Sequence, residues 1–225
     1  MTEAYDLFED DESGTEASTT ETLSTGIDVL DRKLDGGIPA GRTLALLASP
    51  TSQSELFLYE MATARETVYL TTERTTAEVE TELERAGTSP DTVDVRRLDD
   101  DPVDGARSAL EELPDESMLI IDPINPLEAD DADAYRAFLN ELKTRTIETG
   151  GLALLHCLDG RDVPSQRDRT EYHADVVFDL ATKLRGGSVE NRLSLPKFRG
   201  GESLPDAIEL DLTSDVTIDV SRKIA

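Results

Sequence analysis

Two unbroken apolar runs, Ser117-Met118-Leu119-Ile120-Ile121 and Gly151-Leu152-Ala153-Leu154-Leu155, constrain the fold more than anything else in the chain. A strand with one wet face alternates apolar and polar side chains, and these runs do not alternate. Each is too short to be a buried helix, so both read as central strands of a parallel sheet covered on its two faces. Parallel strands need crossover helices, and the sequence supplies them. Strands are expected at Thr43–Ala48, Thr67–Thr72, Val93–Leu98, Met118–Asp122 and Leu152–Cys157, with helices at Glu55–Ala64, Thr76–Ala86, Pro102–Leu113 and Ala132–Thr149. Thr75 with Glu78 forms a capping box, and Gly87 closes the helix it opens. After Tyr172 helical patterns stop: Val176–Leu184 and Val189–Leu195 flank Gly186-Gly187 as a hairpin, and Ala207–Leu212 with Val216–Val220 adds more strand. The order predicts an α/β three-layer sandwich, a mostly parallel central sheet with a C-terminal antiparallel β-hairpin extension.

The 225 residues suit one such domain, expected at residues 22–225, behind an acidic tail, residues 1–21, too poor in apolar groups to order itself. Within the tail, Tyr5-Asp6-Leu7-Phe8 reads either as a docking motif or as part of a solvated segment. Net charge is −27. Lysine is confined to Lys33, Lys143, Lys183, Lys197 and Lys223, and tryptophan is absent. This composition suits a salt-saturated, haloarchaeal cytoplasm, where screening removes the self-repulsion; the other reading is a basic partner. Either way the field opposes direct binding to nucleic acid. Cys157 stands alone, so no internal disulfide forms, and no apolar run approaches membrane-spanning length. The expectation is a soluble cytoplasmic protein with no membrane contact.

The most specific text is Ser24-Thr25-Gly26-Ile27-Asp28-Val29-Leu30-Asp31-Arg32-Lys33-Leu34-Asp35-Gly36-Gly37-Ile38-Pro39-Ala40-Gly41, a short amphipathic helix, two glycines and a Pro-x-Gly turn before the first strand. It resembles the entry segment of the RecA superfamily, in particular its KaiC-like and RadA-like archaeal branch, and the resemblance extends to about Asp219. It implies a RecA-like fold whose first strand runs into a phosphate loop, G-x-x-x-x-G-K-[ST]. Here Ser49 and Ser54 fall on the two glycines, Glu55 on the lysine and Leu56 on the magnesium-binding hydroxyl. A lysine would balance phosphate charge; a carboxylate about 4 Å from a phosphate oxygen costs about 4 kcal/mol at an effective dielectric near 20.

The resemblance further places Asp122 on the strand-end aspartate that helps hold magnesium, although such a residue can also simply cap a buried strand. It places Glu73 on the first of two water-activating glutamates, with Arg74 on the second. Lys197-Phe198-Arg199-Gly200 matches the segment that reaches a neighbouring subunit's γ-phosphate; the plain alternative is two basic residues at a hairpin end. Without a phosphate of its own, the subunit has no evident internal use for Lys197 and Arg199, which makes them interface candidates. His156 and Cys157 are strand neighbours facing opposite ways, so they form no dyad. Two histidines and one cysteine give no metal-ligand spacing and no arguable Ser/His/Asp arrangement. The expectation is therefore a non-catalytic protein with no cofactor and no metal, a vestigial site at Ser49, Ser54, Glu55, Leu56, Glu73 and Asp122, and a regulatory or scaffolding role. Its partner would be an intact RecA-family ATPase or another copy of itself. The alternative is an ATP-binding relative working in recombination, repair or signalling.

Overall fold

A computed structural model describes residues 21–218, apart from 90, 203, 214 and 215. The expectation of a disordered tail lies outside the described residues, except for exposed Glu21. Strand β1 (Thr22–Leu23) pairs with β2 (Ile38–Pro39) around helix α1 (Asp28–Lys33), whose end is turned back by Gly36 and Gly37 at φ 111° and 124°. A Cβ on Gly37 would sit 2.2 Å from the Leu23 carbonyl oxygen, so that close approach requires glycine.

The alternating section follows as β3 (Arg42–Ala48), α2 (Glu55–Thr63), β4 (Thr67–Thr71), α3 (Thr76–Arg85), β5 (Val93–Arg97), α4 (Pro102–Glu111), β6 (Met118–Asp122), α5 (Asn125–Glu128), α6 (Ala132–Thr149) and β7 (Leu152–Leu158). It continues as α7 (Arg167–His173), β8 (Val176–Arg185), β9 (Ser188–Phe198), β10 (Ile208–Leu212) and β11 (Val216–Ile218). Expected elements lie within a few residues of these bounds. The capping box of Thr75 and Glu78 is formed, and Gly186 and Gly187 both take the positive φ that a two-residue hairpin needs. Four short elements, β1, β2, α5 and α7, carry no periodic signal and were not anticipated.

The main sheet runs β11-β10-β9-β8-β3-β7-β6-β4-β5, parallel from β8 to β5 and antiparallel beyond β8. Met118, Ile120, Leu152 and Leu154 pack under α1, α2 and α3, whereas Leu119, Ile121, Ala153 and Leu155 pack under α4 and α6. The non-alternating runs are therefore the strands buried from both sides, as three layers require. The carboxyl ends of β3, β4, β6 and β7 meet at one edge, where open parallel sheets place ligand sites. Among the described residues no helix is long and apolar enough to cross a membrane.

Candidate functional site

Period-two alternation puts Tyr69, Asp122 and His156 on the face that packs α2, and parallel pairing of β4, β6 and β7 brings their carboxyl ends together. The Asp122 side chain is 4 % exposed and accepts on both oxygens. His156 Nδ1 lies 2.6 Å from Oδ1; the Tyr69 hydroxyl (2.5 Å) and an Arg74 guanidinium nitrogen (2.6 Å) donate to Oδ2. Arg74 also donates to the Tyr59 and Tyr69 hydroxyls. Because a carboxylate only accepts, Nδ1 carries a proton toward Asp122, and Nε2 lies 3.0 Å from the Ser54 hydroxyl. The Ser52 hydroxyl, whose one proton goes to the Ser49 carbonyl at 2.6 Å, lies 3.1 Å from the Ser54 hydroxyl. The result is one hydrogen-bonded line, Ser54 to His156 to Asp122, closed from the far side by Arg74 and Tyr69.

Burial alone would raise the Asp122 carboxyl, but His156 first, then Arg74 and Tyr69, outweigh it and hold its pKa down to about 2. Burial is also the main reason the Tyr59 and Tyr69 hydroxyls are pushed up, Tyr69 far more than Tyr59, so both stay protonated. The charge at this edge is thus carboxylate against guanidinium, supplied by the chain itself.

Ser54, His156 and Asp122 have the order of a serine–histidine–aspartate relay, an arrangement the sequence reading did not find. Ser54 and His156 are each 1 % exposed, so an acyl carbon has no path to the serine oxygen in this conformation. The β3–α2 loop is folded on itself. Ser49 Oγ meets Thr51 Oγ1 at 2.9 Å and accepts from the Thr51 amide; the Ser52 amide and hydroxyl both donate to the Ser49 carbonyl. No residue from Ser49 to Ser54 takes a positive φ. Glu55 opens α2, where a carboxylate suits the positive end of the helix dipole, and Leu56 packs against the core. Glu73 is exposed at the β4 end. Cys157 faces the opposite layer from His156, and burial pushes its thiol pKa up.

Lys197 and Arg199 lie at the other end of the sheet's parallel strands, against α7. Lys197 Nζ donates to the Glu171 and Tyr172 carbonyls (2.7 and 2.9 Å), Arg199 donates to the Tyr172 carbonyl (2.8 Å), and both sit over the Tyr172 ring. The premise that they have no internal use is corrected: they satisfy the carboxyl end of a helix that the sequence reading did not anticipate.

A sequence model described as a family of unknown function, DUF7125, matches residues 22–225. The chain belongs to this family. The fold of this DUF7125 member is similar to that of the crystal structure of the KaiC-like protein PH0186 from the hyperthermophilic archaeon Pyrococcus horikoshii OT3, with a TM-score of 0.73, 16% identity, and coverage of 89% of this chain and 99% of that one. The likeness establishes a RecA/KaiC-like fold. Comparison with curated proteins returns no match. Since 638 solved chains match the fold, the fold by itself selects no activity for the DUF7125 chain.

Proposed function

We propose that this DUF7125 protein is a non-catalytic member of the RecA/KaiC-like group that acts through protein–protein contacts, as a regulator or scaffold. The observation that carries the reading is the engagement of both Asp122 oxygens by His156, Tyr69 and Arg74. In a nucleotide-hydrolysing relative the equivalent strand end must leave oxygen lone pairs for a hydrated magnesium ion. Here three donors already hold the carboxylate, one on Oδ1 and two on Oδ2, and one of the three is a guanidinium that supplies the counter-charge. Glu55 adds a negative charge at the start of α2, and the loop amides of Thr51 and Ser52 are turned inward to Ser49. The residues present do not fit a magnesium-bound triphosphate.

Composition supports a cytoplasm rich in salt, and the acidic field supports a protein partner over a nucleic acid. The partner proposed is an intact RecA-family ATPase or a second copy of the chain. The test is calorimetric titration and thermal melting with magnesium-ATP in multimolar KCl. A ligand at a hundred times its Kd adds about 2.7 kcal/mol to stability, so binding would be plain in the melting midpoint. No saturable shift is expected; a saturable shift abolished by an Asp122 substitution overturns the proposal in favour of an ATP-binding relative.

A further inference from the structure

Strand β5 ends the main sheet on one side, and among the described residues no strand lies beyond it. The Thr67 amide donates to the Thr92 carbonyl and the Leu98 amide to the Thr71 carbonyl, so the even-numbered residues of β5 are the ones that bond β4. The backbone N–H and C=O of Val93, Val95 and Arg97 therefore point outward from the edge. Side chains alternate over the same five positions. Val93 and Val95 lie half-buried on the α3 face, with Arg97 following them. Asp94 and Arg96 lie on the α4 face, where Arg96 donates to Asp94 (2.8 Å) and to Glu112 (2.6 Å). Open space flanks the strand. A cleft of about 290 Å³ between α3 and β5 is lined by Leu83, Val93 and Val95 together with the carboxylates of Glu80 and Glu84. Thr88 lines it as well, 7% exposed, and its hydroxyl has no hydrogen-bond partner. A second cleft, of about 430 Å³, follows β5 past Glu66, Asp91, Arg96 and Glu112.

An edge with outward backbone groups accepts another strand, and charges on it ordinarily discourage that. Here the charges are ordered, negative before positive along the strand, and the order selects a partner. Two copies of β5 running antiparallel can centre their pairing on Asp94, Val95 or Arg96 and still use the outward groups. Centring on Asp94 opposes that carboxylate to itself, and centring on Arg96 opposes the guanidinium to itself. Centring on Val95 sets Asp94 against the partner's Arg96, twice over, at positions outside the hydrogen-bonded pairs, where side chains come closest. On the other face the same register puts the partner's Arg97 opposite Val93, over the cleft that holds Glu80, Glu84 and the unpaired Thr88 hydroxyl. Among the described residues Arg97 makes one ion pair in its own chain, with exposed Asp99 at 3.4 Å. Like charges, Asp91 and the partner's Asp99, come opposite only beyond the strand ends, where strong salt screens them.

We infer that two copies of this chain join through β5, antiparallel about Val95, so that their sheets run on as one. The two-fold axis repeats each contact, so a short strand contributes two Asp94–Arg96 pairs, two Arg97 insertions and the backbone bonds between them. The inference deepens the proposed action through protein contacts and rests on that reading only in taking a second copy as the partner; nucleotide binding does not enter it.

Sedimentation equilibrium of the full chain in 2 M KCl should show monomer and dimer in exchange. Hydrogen exchange at the Val93, Val95 and Arg97 amides should slow about tenfold or more as the protein is concentrated through the dimer Kd. Val95→Pro removes one outward N–H at a place where an edge strand tolerates proline, so its circular dichroism should stay native while it sediments as a monomer. Asp94→Arg and Arg96→Asp should each weaken the dimer about tenfold, because each opposes like charges. Mixed one to one, the two variants oppose unlike charges at both positions and should dimerise again. A chain that stays monomeric at about 100 µM overturns the inference and leaves the proposed function standing with an ATPase as partner, whereas a saturable magnesium-ATP shift in melting does the reverse. A dimer whose β5 amides exchange at the monomer rate, or one that survives Val95→Pro or both charge variants undiminished, also overturns it.

Discussion

Replacing Asp122 by Asn tests whether the buried hydrogen-bonded line is a unit. The amide keeps the shape but offers one acceptor oxygen and a donor where the carboxylate offered two acceptors. If the oxygen keeps Tyr69 and Arg74, the amide nitrogen opposes the Nδ1 proton of His156, donor against donor, and the ring must change its contacts with residue 122 and with Ser54. The charge contribution follows from the carboxyl's depression from 3.8 to about 2, equivalent to about 2 kcal/mol in favour of the ionised form. Because the folded pKa lies below the unfolded one, this stabilisation is present in full above about pH 4. It declines as pH falls through about 2, with about half left at pH 3. Urea unfolding of both proteins, followed by circular dichroism in 2 M KCl from pH 7 to pH 3, should show Asp122→Asn less stable by about 2 kcal/mol at pH 7 and the gap halved at pH 3. A gap below about 0.5 kcal/mol at pH 7, the range of ordinary surface substitutions, or one that does not change with pH, refutes the reasoning.

Lowering KCl from multimolar to millimolar should reduce the melting midpoint by many degrees, since −27 on one domain loses its screening; an unchanged midpoint would assign the acidity to a partner. Lys197→Ala with Arg199→Ala should cost about 1–2 kcal/mol, because the last carbonyls of α7 lose their donors, and urea midpoints measure it. Glu128→Gln should cost about 3 kcal/mol or more by the same assay, since it leaves Arg167, which chelates a fully buried carboxylate, without its counter-charge. Cys157 should resist a thiol reagent until the protein unfolds, as burial keeps its thiol protonated; stoichiometric modification of the folded chain would contradict this.

The layers of the fold were legible in the sequence because burial on both faces leaves no alternation: Met118–Asp122 and Ala132–Thr149 could be bounded to the residue. Helix α7 was not, because its seven residues show no apolar stripe. It is held instead by Arg167 on Glu128, a contact across 39 positions that no local pattern encodes. The same limit applies to the site. Asp122 was marked by its place at a strand end, but its partners come from β4, the β4–α3 connection and β7, whose register only the assembled sheet sets. Tyr69, Asp122 and His156 each fall on the α2 side by simple alternation, so the strand order was the one missing term that would have placed His156 beside the aspartate.

Arg74 has a consequence for how this edge of the sheet responds to its surroundings. Where a diffusible cation holds a buried carboxylate, its contribution rises and falls with the free ion and vanishes on dialysis or chelation. Here the counter-charge is covalently part of the chain, one guanidinium per carboxylate, and nothing in solution can dilute it. The strand ends around Asp122 are therefore expected to keep one geometry whatever the divalent ion content of the solution, and a chelator should leave the melting curve where it was.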